Sequence, residues 1–183
     1  MRGKSMVVST VWSYEPVTRS WYSEAGLAVP RKNFGLVVHR MALYAIGGQD
    51  KKGRWTEIHT LRFPRCFSTL FAMNDRLYLV GGAGKMSDKE KTASSVAAID
   101  VWDWKDRAWR HQMDMSIPRH GHALAYLGTQ LIIIGGVTTV YMRALNNVES
   151  FCCERGAWIR GVAPLPSPLS GHGAVTLPPA SLM

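Results

Sequence analysis

The chain has 183 residues, of which 46% are hydrophobic and 19% are charged, and its formal net charge is +9. This composition supports one globular core and argues against an intrinsically disordered chain. We expect no membrane span, because no apolar run approaches ~20 residues. We expect no secretory leader, because no small-residue cleavage site follows the first apolar run. A cytoplasmic location is therefore predicted.

The first predicted elements are two outer strands within residues 6–26, and three larger units follow at 33–58, 67–113 and 121–162. Each unit opens with two runs rich in Val, Ile, Leu, Phe and Tyr, separated by a few turn-prone residues such as Asn74-Asp75 or Gly128-Thr129, a pattern typical of a β-hairpin. The second and third units continue with another apolar run and a short strand that begins at a tryptophan. A lone inner strand is predicted over 171–177.

The unit at 33–58 is shorter than the others. Only six residues separate Gly48 from Trp55, which is too few for a turn, a strand and a second turn. We therefore predict that this unit lacks its third strand.

Landmark residues recur in one register along the chain. Double glycines lie at Gly47-Gly48, Gly81-Gly82 and Gly135-Gly136. Sixteen residues before each first glycine lies an arginine that follows a proline: Arg31, Arg65 and Arg119. Ten residues before each arginine lies a tryptophan: Trp21, Trp55 and Trp109. A fourth copy begins at Trp158, with Leu169 in place of the arginine. We interpret the glycines as points of close approach, the tryptophans as buried packing surfaces and the arginines as donors to loop carbonyls.

This register resembles the kelch repeat, which forms one blade of a β-propeller. The resemblance covers nearly the whole chain and implies an all-β fold, a partial propeller of about three and a half four-stranded antiparallel blades. Because such relatives close a ring of about six blades of ~50 residues each, we expect an open fragment. Kelch-like proteins carry a BTB domain and a helical domain before the propeller, and we expect this chain to lack both.

The resemblance also implies a protein-binding face, built from the loops between blades and the loops after the double glycines. The residues predicted to line this face are Lys32, Asn33, Gln49, Asp50, Lys51, Lys52, Cys66, Phe67, Lys85, Lys89, Lys91, His120, Tyr141 and Arg143. The lysines at 85, 89 and 91 favour an acidic peptide, although Asp88 and Glu90 dilute their field. The basic residues form no run of five or more, so a protein partner is favoured over a nucleic acid.

Three functions stay open at this point. In adaptors of cullin-RING ubiquitin ligases this face captures a peptide of the substrate, other kelch proteins bind actin filaments, and a truncated product could lack a function of its own. Without a BTB domain, no direct cullin contact is expected.

Catalysis is not expected, because the sequence has no G-x-S-x-G, HExxH or P-loop motif, and no cofactor is predicted. Asp100 and Asp103 are interpreted as turn residues. His120 and His122 flank a glycine, but no carboxylate or cysteine is placed to complete a metal site, so we interpret them as structural. The cysteines Cys66, Cys152 and Cys153 form neither an even framework nor a CxxC pair, and are predicted to be reduced packing residues.

Overall fold

The computed structural model describes residues 7–48, 61, 63–87 and 89–177, and over these ranges it contains β-strands and no helix. No helix in the described part of the chain is long and apolar enough to cross a membrane. The strands are β1 (Val11–Glu15), β2 (Ser20–Glu24), β3 (Gly35–His39), β4 (Ala42–Ile46), β5 (Arg65–Cys66), β6 (Thr69–Met73), β7 (Arg76–Val80), β8 (Ala83–Gly84), β9 (Ser94–Ser95), β10 (Ala98–Asp103), β11 (Ala108–Asp114), β12 (Ala123–Leu127), β13 (Gln130–Ile134), β14 (Val137–Thr138), β15 (Arg143–Ala144), β16 (Val148–Cys152) and β17 (Ala157–Ile159).

Two four-stranded antiparallel sheets dominate the fold. The first has the order β6-β7-β10-β11 and the second the order β12-β13-β16-β17. Each sheet is a meander, and the loop between its second and third strands contains two short additional strands, β8 and β9 in the first sheet and β14 and β15 in the second. No sheet formed by the described residues closes on itself. The predicted fold class, an all-β partial propeller, is confirmed.

Two hairpins precede these sheets. Strands β1 and β2 pair across the turn at 16–19, and β3 pairs with β4 across Arg40 and Met41, which both have positive φ. Residues 49–60, including the predicted landmark Trp55, lie outside the described residues.

Residues 171–177 do not form the strand that we predicted there. This segment is instead held at two points. The Gly171 N–H donates to the Gly121 carbonyl at 2.8 Å, and the Thr176 hydroxyl accepts from the Tyr126 N–H at 3.0 Å and donates to the Tyr126 carbonyl. A side-chain hydroxyl thus replaces the ladder of backbone bonds that a strand would make.

The double glycine allows each sheet to approach the turn of the next repeat. A Cβ added to Gly135 would lie 2.6 Å from the Leu169 carbonyl oxygen and 2.9 Å from Cε1 of His172. Gly135 also has a φ of 59°, and the N–H of Gly136 donates to the same Leu169 carbonyl at 2.8 Å. Glycine is therefore required here both by conformation and by space.

The arginines of the repeat register lie under the sheets. Arg65 and Arg119 are fully buried, and Arg119 donates from Nη1 to the carbonyls of Gly135 (3.0 Å) and Asn147 (3.2 Å). This is the contact with loop carbonyls that the sequence suggested. Each of these arginines also pairs with a carboxylate on the third strand of the four-stranded sheet that follows it, Asp100 for Arg65 and Glu149 for Arg119.

Asp100 is therefore a buried ion-pair partner, and its interpretation as a turn residue was wrong. Asp103 does lie at the β10–β11 turn, where its Oδ1 accepts from the N–H groups of Lys105 (2.9 Å) and Asp106 (3.1 Å).

The tryptophans differ in burial. Trp109 is 8% exposed and packs with Leu70, Leu77 and Leu79, whereas Trp21 is 66% exposed on the β1–β2 hairpin. Trp21 contacts Tyr14 on the same hairpin, with ring centroids 5.2 Å apart. The expectation of a buried Trp21 fails because its two-stranded hairpin does not bring an apolar sheet over the indole in the described structure.

Candidate protein-interaction face

A chain of backbone hydrogen bonds links the repeats at the turns that precede each first strand. The Phe67 N–H donates to the Asn33 carbonyl (3.0 Å), the Gly121 N–H to the Phe67 carbonyl (3.0 Å), and the Gly171 N–H to the Gly121 carbonyl (2.8 Å). All four residues have positive φ, between 53° and 66°. The inter-blade turns are therefore brought side by side on one face of the molecule, which we call the loop face.

The loops after the double glycines join the same face through short strand pairs. Cys66 pairs with Ala83, and Val137 forms a two-way backbone bridge with His120. Consequently the β8–β9 loop, with Lys85, Lys89 and Lys91, and the β14–β15 hairpin, with Tyr141 and Arg143, project beside the inter-blade turns.

A polar cluster connects two of these loops. The Ser95 hydroxyl lies 2.9 Å from Nδ1 of His120, the Thr139 N–H donates to Ser95 Oγ at 2.9 Å, and the Ser95 N–H donates to Thr139 Oγ1 at 2.8 Å. Burial lowers the pKa of His120, which favours a neutral ring at this position. The cluster fixes the base of the β14–β15 hairpin against the β8–β9 loop. Neither Ser95 nor Thr139 was predicted, because short polar residues next to a strand give no distinctive pattern.

Exposed apolar and aromatic side chains stand above this cluster. Phe67 is 44% exposed and its ring lies 6.1 Å from that of His120, while Tyr141 is 56% and Met142 is 81% exposed. The Arg143 guanidinium lies over the Tyr141 ring, 5.4 Å from its centroid, which presents a cation and an aromatic ring together.

The charged side chains on the loop face are mostly basic. Lys85, Lys89, Lys91 and Arg143 are exposed, and Lys32 is half-buried. The carboxylate of Glu90 accepts a hydrogen bond from the Met86 N–H at 3.0 Å, so it is committed to its own loop. The described charged side chains of the loop face therefore carry an excess of positive charge.

Not every predicted residue reaches the loop face. Asn33 lies on it through its backbone, but Cys66 is buried, and burial raises the pKa of its thiol to about 11. Cys66 therefore belongs to the packing between β5 and β8 and does not form a binding surface. The predicted residues Gln49, Asp50, Lys51 and Lys52 lie outside the described residues.

No group of three or more His, Cys, Asp and Glu side chains is placed to hold a metal ion within the described ranges. His122 is buried, and desolvation, together with the nearby charge of Arg119, lowers its pKa to about 3. Its ring is therefore neutral and fills the space beside Gly81 and Gly136.

The chain is similar in sequence to known proteins with kelch repeats. The family model described as the Kelch motif matches residues 118–162. Beta-scruin and Alpha-scruin of Limulus polyphemus are both 28% identical, over 93% and 94% of this chain. Kelch-like protein 15 of Danio rerio is 26% identical over 96% of the chain. The chain spans 21% of the length of either scruin and 33% of the length of that kelch-like protein.

Proposed function

The chain is a kelch-repeat protein, and from this premise we propose that it recognises an acidic segment of a partner protein through its loop face. The observation that carries the proposal is the combination of exposed cations with exposed aromatic rings on adjacent loops: Lys85, Lys89 and Lys91 on one, and Tyr141 with Arg143 on the other. Aromatic residues and arginine are enriched where proteins bind one another, and the lysines supply long-range attraction for an acidic chain.

The fixed base of this surface supports the same function. The hydrogen bonds among Ser95, His120 and Thr139 hold two loops in a defined relation before a partner arrives. A preformed surface loses less conformational entropy on binding than one that must be ordered first.

We further propose that the partner segment is a substrate of a ubiquitin ligase, that the protein acts in the cytoplasm, and that its role is recognition, not catalysis. The alignment with kelch-like relatives over nearly the whole chain supports this role. Binding to actin filaments is the competing function, since a basic face also suits the acidic surface of a filament.

The test measures binding to an array of synthetic 15-residue peptides, each made in an acidic form and in a form with Asn and Gln in place of Asp and Glu. We expect a set of acidic peptides to bind, and the K85E/K89E/K91E variant to bind them at least ~10-fold more weakly. The matched control is Lys105→Glu, which reverses one exposed charge at the β10–β11 turn on the opposite face. Equal binding of acidic and amide peptides, or an unaffected triple variant, would contradict the proposal.

Two further assays separate the competing functions. The first assay tests whether the chain captures a ubiquitin ligase with its substrates from cell extract. Capture that is lost in the triple variant and kept in Lys105→Glu supports the ligase role. Co-sedimentation with purified actin filaments, with the same dependence on the three lysines, would assign the loop face to filaments instead.

A further inference from the structure

The β8–β9 loop extends outward from a fixed base on the loop face. Gly84 pairs with Ser94 at its two ends, and the neighbouring Ser95 exchanges hydrogen bonds with Thr139. Among residues 85–93, those that the structure describes belong to no strand, and most of their side chains are exposed. An enzyme can therefore reach this loop without opening a sheet.

Ser87 begins a hydrogen-bonded turn in this loop. The Glu90 N–H donates to the Ser87 carbonyl at 3.1 Å, and the Glu90 carboxylate accepts from the Met86 N–H at 3.0 Å. These two bonds use the backbone of Ser87 and the side chain of Glu90, while the Ser87 side chain is exposed. The turn thus presents a serine hydroxyl at the surface of the loop.

Acidic residues follow Ser87 in the sequence. Asp88 is the next residue and Glu90 is the third. Kinases select serines partly by complementary charge, and a kinase with a basic substrate groove prefers acids at these positions. Thr92 is also exposed, but no acid occurs at positions 93–95. Within this loop, the charge pattern therefore favours Ser87 over Thr92 as the substrate of an acid-directed kinase.

We propose that Ser87 is a phosphorylation site, and that a phosphate on it weakens the binding of an acidic segment to the loop face, an inference that rests on the proposed function. The co-reactants are Mg²⁺-ATP and an acid-directed serine kinase. The Ser87 hydroxyl oxygen bonds to the γ-phosphorus, the bond from that phosphorus to the β,γ-bridging oxygen breaks, and ADP leaves with the electron pair. The hydroxyl proton passes to the base of the kinase.

The phosphate reverses the charge of the loop. Residues 85–91 contain three lysines and two acids, so their formal net charge is +1. A phosphoserine adds a charge of about −1.5 to −2 at pH 7, which makes the segment negative. Its oxygens also attract the exposed side chains of Lys85 and Lys89, which then compete less well for the carboxylates of a partner. Phosphorylation therefore acts as a local electrostatic switch.

The first measurement locates the phosphate. The full chain is incubated with Mg²⁺-ATP and recombinant casein kinase, an acid-directed serine kinase, and mass spectrometry identifies the modified residue. We expect Ser87 to be the main site, and Ser87→Ala to lower the initial rate at least ~10-fold while Thr92→Ala keeps it. Phosphate found mainly at another residue, or an unchanged rate in Ser87→Ala, would overturn the proposal.

The second measurement determines the effect on binding. Fluorescence anisotropy compares the unmodified chain with the chain that carries phosphoserine at position 87, using the acidic 15-residue peptide that binds most tightly and its amide form. We expect the phosphorylated chain to bind the acidic peptide at least ~5-fold more weakly at ~50 mM salt, and less than ~2-fold more weakly at ~0.5 M salt. The amide form should not distinguish the two chains.

Three variants separate the local charge from other effects. Ser87→Asp should weaken binding in the same direction as the phosphate, and Ser87→Asn, which changes the side chain without a charge, should keep the affinity. Ser23→Asp adds an acid to the exposed strand β2 of the first hairpin and should also keep it. Weaker binding in Ser23→Asp equal to that in Ser87→Asp would mean that only the net charge of the chain matters, and would refute a local switch.

The remaining outcomes distinguish this inference from the proposed function. Equal affinity of the phosphorylated and unmodified chains for the acidic peptide refutes the switch and leaves the proposed function intact. A loss of affinity that persists at high salt means that the phosphate distorts the loop, and also refutes the electrostatic switch. An unmodified chain that binds no acidic peptide refutes the proposed function and the regulation together, while mass spectrometry still decides whether Ser87 accepts phosphate.

Discussion

Arg119 and Glu149 form a buried ion pair that joins the turn before one four-stranded sheet to the third strand of that sheet. The Glu149 carboxylate also accepts from the N–H groups of Ser116 (2.8 Å) and Ile117 (3.4 Å), so one side chain connects a guanidinium, a strand and a turn. The pair Arg65–Asp100 repeats the arrangement in the preceding sheet.

Removing the carboxylate of this pair should strongly destabilise the fold. We expect Glu149→Gln to lower the free energy of unfolding by about 3–5 kcal/mol, because it leaves a buried guanidinium without a counter-charge. Urea denaturation followed by circular dichroism measures the change. Glu154→Gln, at the exposed β16–β17 turn, is the control and should stay within about 0.5 kcal/mol. The double variant R119M/E149L should recover much of the loss; a double variant as unstable as Glu149→Gln would contradict this account.

A methyl group at Gly135 should cost more than one at Gly128. The two glycines have nearly equal φ, 59° and 60°, but a Cβ at Gly135 meets the Leu169 carbonyl at 2.6 Å, whereas nothing lies within 4 Å of a Cβ at Gly128. We therefore expect Gly128→Ala to cost about 1 kcal/mol for its backbone conformation, and Gly135→Ala to cost about 1–3 kcal/mol more. Equal melting temperatures for the two variants would show that the close approach is not maintained in solution.

Acid should destabilise the fold through His122. Desolvation lowers the pKa of this ring to about 3. The positive charge of Arg119, and that of His120 and His172 when they carry a proton, also disfavours a proton on His122. The unfolded chain binds the proton near pH 6.5 and the folded chain only near 3, so stability is lost as the pH falls through this interval, by up to about 1.4 kcal/mol per pH unit. His122→Leu should flatten the dependence of the unfolding free energy on pH between 6.5 and 4. An unchanged slope would assign the acid sensitivity to other groups.

The two tryptophans Trp109 and Trp21 should differ sharply on truncation. Trp109→Ala removes a buried indole from the contact with Leu70, Leu77 and Leu79, and we expect a loss of about 3–5 kcal/mol. Trp21→Ala removes an indole that is 66% exposed, and should change the free energy of unfolding by less than about 1 kcal/mol. A large effect at Trp21 would show that this hairpin face is covered in solution.

The repeat register of the sequence anticipated much of the architecture, because it reflects contacts that recur in every blade. Two of the arginines keep a fixed spacing from the double glycine because they donate to the carbonyl of its first residue, Arg31 to Gly47 and Arg119 to Gly135. Arg65 lies at the same spacing but donates to the Ala98 carbonyl on the third strand. The carboxylate partners escaped prediction because Asp100 and Glu149 are different residues, so their shared place on the third strand was not apparent.

The exposed side chains of the loop face were harder to predict than the strands, because burial in the loops changes from one residue to the next. Cys66 and Phe67 are adjacent, yet the first is 4% and the second 44% exposed, because Phe67 has a φ of 53° and the chain turns at this point. Spacing places both residues in the loop, but it does not reveal which side chain turns inward. Ser95 and Thr139 could be found only once the two loops were seen in contact.

Backbone hydrogen bonds connect Asn33, Phe67, Gly121 and Gly171 in series. These bonds fix the position of each blade relative to the one before it, whatever the length of the blade's loops. The β8–β9 loop is longer than the β14–β15 loop, yet both blades keep the same backbone bond to the preceding turn. Insertions and deletions after the double glycine can thus accumulate over generations without disturbing neighbouring blades. New binding preferences can arise by exchange of one loop, while the framework that presents it is inherited unchanged.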